Sequence, residues 1–308
     1  MKLEAPLSPS EVLAQVAAAL PSDVRGNVII IGSLAAGYHF FADDGARAIR
    51  TKDVDCLFSP HSKAIAAATE VTDQLIKANW RLREDPEWGQ PGKEGAPEDK
   101  LPMVRLRPPG EMVSPWFLEL LSAPPAFVLG APDKKLRRVE TSIGYFAIRS
   151  FDFLALAEWQ PLETACGLRI ARPEMMALAN LLHHPAVADT LIAGTEYKRS
   201  NKDLGRVLAL AYLTVQRDRR NSGDEFGAWA GRMWSALKDK FGDQAPRLAA
   251  QAGAGLRALL SSPADLDQAL RIANLGLLAS VDVSMEAFRA TGARFMAEVI
   301  EELQEQAK

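Results

Sequence analysis

The run Asn27-Val28-Ile29-Ile30-Ile31, stopped at Gly32, constrains what this chain can fold into more than any other feature. A short, β-branched, apolar run suits a buried strand, and the glycine ends it in a turn. Ser33 then opens a helix of small and apolar residues reaching Phe41, and Ala42-Asp43-Asp44-Gly45 breaks it with turn chemistry. After a connecting loop, Asp53 to Phe58 alternates sides as a strand does. Asp53 and Asp55 therefore project from one face, while Val54 and Cys56 point to the other.

The rest of the chain extends this beginning in two styles. Ser10 to Leu20 repeats Val12, Leu13, Val16 and Leu20 on one helical face, and Ile65, Ala68, Val71, Leu75 and Ile76 predict a second helix after Ser59-Pro60. Strands are expected at Trp80 to Arg83, Met103 to Arg107 and Trp116 to Leu121, the last two parted by the turn Pro108-Pro109-Gly110. Asp85 to Lys100, rich in Pro, Gly and charge, reads as an exposed loop. Beyond Tyr145 to Ile148 only Leu168 to Ala171 carries a strand signal. Helices are predicted at Pro173 to His183, Asn201 to Arg217, Glu225 to Phe241, Pro246 to Leu260, Pro263 to Leu278 and Met285 to Gln306. The expected architecture is an α/β domain with a mixed sheet over 1–150, followed by a mainly α-helical domain over 151–308 that walls the other side of a cleft.

Composition narrows the classes open to such a chain. With 308 residues, 48% hydrophobic and 24% charged, it can bury the cores of two ordinary domains. A net charge of -3 gives no chain-wide attraction to phosphate polymers or anionic lipid, so any nucleic-acid contact needs a local patch. Cys56 and Cys166 are too few and too far apart for a disulfide framework or a zinc knuckle. No apolar stretch reaches membrane-spanning length, and Met1-Lys2-Leu3-Glu4-Ala5-Pro6 lacks the apolar core of a signal peptide, so the expectation is a cytoplasmic protein with no membrane partner.

Paired carboxylates beside a glycine turn point to phosphate chemistry. Nucleotidyl transfer is mainly a matter of positioning and charge neutralisation, because the triphosphate is anionic and the departing pyrophosphate gains charge. Magnesium, or manganese in its place, takes oxygen ligands and keeps waters, so Asp53 and Asp55 on one strand face suit it. Glu119, alternated within Phe117-Leu118-Glu119-Leu120-Leu121, is the candidate third carboxylate, as a metal ligand or as the group that activates an acceptor hydroxyl. Gly32 and Ser33 are candidates to hold the phosphates of a nucleoside triphosphate through backbone N–H groups and a hydroxyl, and Arg50 and Lys52 flank the acids as candidate phosphate partners.

These motifs, Ile31-Gly32-Ser33 and Asp53-Val54-Asp55, resemble the signature of the nucleotidyltransferase superfamily. With Arg50-Thr51 just ahead of the acids, the sequence is most similar to the AbiEii-like branch, which includes toxins of toxin-antitoxin and abortive-infection systems. That branch carries a Lys-Asp pair on a helix several residues after an Arg, and Arg199-Ser200-Asn201-Lys202-Asp203-Leu204 is similar to it. The resemblance implies that Lys202 and Asp203 contact nucleotide or acceptor. It also implies an acceptor hydroxyl on tRNA or other RNA, on protein or on a small molecule, and an antitoxin partner if the chain is the toxin of a pair. Two positions depart from the branch: Asn180 stands where a helical Lys is usual, and Arg206 where an acid usually follows the Lys-Asp pair.

Plainer roles stand beside each of these. Asp53 and Asp55 also suit a solvated strand face, Glu119 an ordinary surface acid, and Arg50 and Lys52 simple charge balance. Lys202 and Asp203 suit a helix start capped by Ser200 or Asn201. His183-His184 before Pro185 reads as a favourable cation at a helix end, Lys134-Lys135-Leu136-Arg137-Arg138 and Arg217-Asp218-Arg219-Arg220 as solvated charge or RNA contacts, and Cys56 as core. A non-catalytic nucleotide- or partner-binding protein on the same fold, and an antibiotic-modifying nucleotidyltransferase, are the alternative functions.

Overall fold

In the computed structural model, which describes residues 5–42, 44, 47–83, 90–110, 116–124, 134–187 and 190–308, all four residues of Val28–Ile31 (β1) are buried. The chain divides into two units: Glu4–Ala35 with Thr51–Ala171, and Ala36–Arg50 with Arg172–Lys308. This differs from a boundary near residue 150. The short strand at Arg169–Ile170 pairs in parallel with β1, which ties residues 151–171 to the sheet, while residues 36–50 cluster with the helices. Of the turn expected at 42–45, residues 43 and 45 lie outside the described residues, as do residues 85–89 of the loop expected at 85–100.

The first unit is built on a mixed sheet of nine strands among the described residues. After β1 come Asp53–Phe58 (β2), Arg81–Leu82 (β3), Arg105–Arg107 (β4), Phe117–Ser122 (β5), Lys134–Thr141 (β6), Gly144–Phe151 (β7), Leu162–Glu163 (β8) and Arg169–Ile170 (β9). Their order is β8-β9-β1-β2-β5-β4-β3, and β7 joins β5 to β6. β2 runs antiparallel to β1 and parallel to β5.

Alternation along β2 and β5 explains how the helices dress the sheet. Val54, Cys56, Phe58, Leu118 and Leu120 are fully buried, each worth about 1.5–3 kcal/mol for the larger side chains when taken out of water. Pro9–Ala19 (α1) buries Val12, Leu13 and Val16 as the periodicity predicts, with Ser8 accepting from the Glu11 N–H at its start. Gly32–Phe41 (α2) follows β1 directly. His61–Lys77 (α3) packs on β2, β5 and β6. It buries Ala64, Ala68, Val71 and Leu75 but leaves Ile65 38% exposed, because the alanines, small enough for close approach, take the contact that the sequence reading gave to isoleucine.

The basic run 134–138, expected as solvated charge or RNA contacts and not as a strand, is the first half of β6, which pairs with β7 residue by residue from Lys134↔Phe151 to Thr141↔Gly144. Only Leu136 and Val139 supply apolar character in that strand, too little for a period-two signal. Gly144 closes the hairpin at φ +133, where an added Cβ would stand 2.6 Å from that of Pro91.

The second unit is helical: Pro173–Val187 (α4), Arg199–Asn221 (α5), Trp229–Phe241 (α6), Ala245–Gln251 (α7), Ala254–Ser261 (α8), Pro263–Leu275 (α9), Met285–Phe295 (α10) and Glu301–Gln306 (α11). α5 is its axis, touching α4, α9 and α10. Gly205 permits the close crossing with α9, since a Cβ there would lie 2.8 Å from the Ala269 carbonyl oxygen. Phe226, Trp229 and Phe295 form an aromatic cluster with centroids 5.5–6.2 Å apart. The single helix expected at 246–260 is two, parted where Gly253 meets Ile300. Among the described residues, no helix is long and apolar enough to cross a membrane.

Candidate functional site

The turn after β1 and the acids of β2 meet in the sheet unit. Antiparallel pairing puts Ile31 opposite Asp55, so Gly32 emerges beside that carboxylate. Gly32 takes φ +74, a left-handed conformation that L side chains rarely adopt. A Cβ at this position would stand 2.8 Å from Asp55 Oδ2. Glycine is thus required twice, by the backbone and by the approach of the carboxylate. Ser33, half-buried, is the second residue of α2.

Asp53 and Asp55 are half-buried, while Val54 between them is fully buried, as alternation demands. The Thr51 hydroxyl, itself buried, donates to Asp53 Oδ1 at 2.7 Å and so fixes that carboxylate's rotation. Lys52 is exposed, and its carbonyl accepts from the Phe117 N–H, which starts the β2–β5 ladder. Asp55 lies in register with Glu119, so the three acids share one face. Glu119 is 7% exposed, with Arg105 Nε 2.8 Å from its Oε2 and Arg149 Nε 3.6 Å from its Oε1. Its negative charge is therefore met by two guanidiniums that the sequence did not pair with it.

This chemistry suits a hard dication at Asp53 and Asp55, since two oxygen-only ligands alternate on one strand face and one of them is held in place by a hydroxyl. Among the described residues, no group of three or more His, Cys, Asp or Glu is gathered closely enough to hold a metal ion. A dication at this strand would be completed by waters or phosphate oxygens. The Cys56 thiol is fully buried on the opposite face, where burial and then the neighbouring Asp55 charge raise its pKa far above the ordinary thiol range. It is core.

Arg50, Lys202 and Asp203 belong to the helical unit. The Arg50 N–H donates to the Gly276 carbonyl. Lys202 is exposed on the first turn of α5, and Asp203 Oδ2 lies 3.3 Å from His183 Nδ1. Neither Ser200 nor Asn201 caps that helix: Lys198 is the N-cap residue, and the Asn201 amide donates to Asp265 at 2.8 Å and Gln268 at 2.7 Å. The helix end expected at His183-His184 lies close by: α4 runs through Pro185 to Val187, with His184 in its last turn. Burial lowers the pKa of the half-buried His184, which opposes its protonation at that helix end. The Asn180 amide, at the position where a lysine is usual in the resembling branch, donates to the Met176 carbonyl of its own helix.

A polar cluster in the helical unit has no counterpart in the sequence reading. Glu174, only 2% exposed, lies 3.3 Å from Arg232 and 3.6 Å from Arg172, and Arg232 also reaches Glu225 at 2.6 Å. Burial raises the Glu174 pKa against these arginines. Arg217 Nη1 lies 2.6 Å from His39 Nε2, and burial, followed by the Arg217 charge, lowers the His39 pKa to about 3. Arg217 is thereby removed from the exposed basic run to which the sequence assigned it. Neighbouring Asp218 accepts from the Glu225 and Phe226 N–H groups and anchors the loop into α6. Compared with known proteins, the chain matches no family model and no curated protein.

Proposed function

We propose that this chain is a metal-dependent nucleotidyltransferase on a nucleotidyltransferase-like fold, moving a nucleoside monophosphate from a triphosphate to an acceptor hydroxyl. The observation that carries the reading is the approach of the Gly32 turn to Asp55, with Asp53 on the same strand face. Glycine-turn backbone next to paired carboxylates is the arrangement that a triphosphate bridged by a dication requires. Asp53 and Asp55 would hold magnesium or manganese, which when bound neutralises phosphate charge and lowers the cost of pyrophosphate departure.

The chain's own residues then have distinct parts. Gly32 and Ser33 receive phosphate oxygens without an intervening side chain, Thr51 keeps Asp53 in its rotamer, and Lys52 supplies exposed positive charge beside the acids. Glu119, charge-balanced by Arg105 and Arg149, borders the acidic strand. Lys202 and Asp203 have the nucleotide- or acceptor-contacting role that the resemblance assigns them. In the transfer, the acceptor oxygen forms a bond to the α-phosphorus, the bond from that phosphorus to the β-bridging oxygen breaks, pyrophosphate leaves, and the hydroxyl proton is lost to solvent. Service as the toxin of a toxin-antitoxin pair is the biological role consistent with this chemistry and with the resemblance.

Calorimetry with each nucleoside triphosphate tests the binding half. Affinity should be measurable in magnesium, weaken at least about tenfold in chelator, because the bare carboxylates repel the triphosphate, and weaken similarly in magnesium in Asp53→Asn, because a metal ligand is lost. Equal affinity in magnesium and in chelator would remove the two aspartates from the site.

A further inference from the structure

The sheet face that carries the acids does not end at Glu119. Paired residues on neighbouring strands share a face, so Asp55, Glu119 and Arg105 form one row across β2, β5 and β4. The Arg83 N–H donates to the Arg105 carbonyl, which brings the row to a second arginine just past β3. One step along, Arg107 pairs with Arg81. The face thus grades from carboxylates on β2 to guanidiniums on β4 and β3.

Two of these arginines are unexplained by the fold. Arg105 is met by Glu119, and the Arg83 guanidinium lies 4.3 Å from the centroid of Phe117. Arg107 and Arg81, directly opposite each other, have no carboxylate within ion-pair distance among the described residues. Like charges at opposed positions destabilise a sheet. The Arg107 Nε is also buried without a hydrogen-bond partner among the described residues, and such an orphan donor costs about 1–3 kcal/mol. A bound phosphate would relieve the like-charge opposition, since the guanidinium fork takes phosphate oxygens in pairs.

We propose that β4 and β3 are the landing surface of a nucleic-acid acceptor, with Arg107 and Arg81 holding backbone phosphates next to the aspartate strand. The backbone positions that carry these arginines recur about 5 Å apart across the strands and about 7 Å apart along them, a repeat suited to a polymer with one charge per unit. A phosphodiester chain brings both that repeat and the terminal or ribose hydroxyls that a nucleotidyl transfer consumes. With the whole chain at -3, attraction to such a polymer has to be local, and this face supplies it. The acceptor role rests on the nucleotidyl-transfer reading; the grip on phosphate does not involve Asp53 or Asp55.

Anisotropy of a short labelled single-stranded RNA, titrated in chelator at a series of salt concentrations, tests this surface. Wild-type protein should bind, and the double variant Arg81→Ser, Arg107→Gln should lose about tenfold in affinity, with a plot of log affinity against log salt shallower by about 1.4. Arg81→Ser alone, at an exposed position that cannot unfold the sheet, should flatten the slope by about half as much. Asp53→Asn should bind RNA at least as well as the wild type, since in chelator it removes a repelling carboxylate. Unchanged slope and affinity in the arginine variants, or no RNA binding by the wild type at low salt, would overturn the proposal. So would a polyglutamate peptide that competes as well as RNA at equal charge, because the face would then belong to an acidic protein. Loss of RNA binding alongside intact magnesium-triphosphate binding would sink the landing surface alone, and the reverse outcome would sink the transfer reading alone.

Discussion

At Gly32 one hydrogen atom in place of a methyl group decides whether turn and carboxylate can coexist. Gly32→Ala should destabilise the protein by about 1–3 kcal/mol, from the left-handed backbone and from the crowding of Asp55 together. A double-mutant cycle separates the two. Asp55→Ala clears the space that the added methyl would enter, so the pair of substitutions should cost less than the sum of the singles, read from urea midpoints. Strict additivity would mean that the two residues do not meet. The turn and the acids were legible because each lies within a few residues of a strand end, where alternation and glycine chemistry act locally. The partners of Glu119 were not, since Arg105 and Arg149 reach it through strand register, which no local pattern encodes.

Elements carry the charges that the sequence placed in solvent. His39 near the end of α2 and Arg217 on α5 form a half-buried contact in the helical unit, and the imidazole stays neutral with its pKa lowered to about 3. An imidazole that resists protonation when folded but accepts a proton near pH 6.5 when unfolded contributes stability fully above pH 6.5 and loses it as the pH falls towards 3. The slope approaches about 1.4 kcal/mol per pH unit. Glu174 acts in the opposite sense, because its raised pKa makes the folded state bind the extra proton as the solution is acidified. His39→Gln retains an acceptor for Arg217 and removes the titration. Thermal melts should therefore show the gap between wild type and variant shifting in the variant's favour from pH 7 to pH 5. A constant gap would place the His39 titration elsewhere. Helical periodicity could locate α5 but not this contact, and its charged tail looked like surface because Arg217 and Asp218 sit amid further arginines.

On the scale of the whole molecule, the change from strand signals to helical periodicity was readable from composition along the chain, and it corresponds to a sheet unit and a helical unit. The place of the change was not readable: β9 returns to pair with β1 after the helical signal has begun, and residues 36–50 contact the helices although they precede most of the sheet. Proposed catalysis belongs to the molecule as a whole and is tested on the full chain. Wild-type protein would be incubated with magnesium, each labelled triphosphate and acceptor pools of total RNA, cell-extract protein and aminoglycosides, beside Asp53→Asn and Asp55→Asn at equal thermal stability. The wild type should pass label to the RNA pool. Each variant should lose about a hundredfold or more of that rate, because a lost metal ligand removes several kcal/mol of transition-state stabilisation while shape and backbone are kept. Label transfer that survives both substitutions, or no transfer to any acceptor by the wild type, would contradict nucleotidyl transfer at this strand.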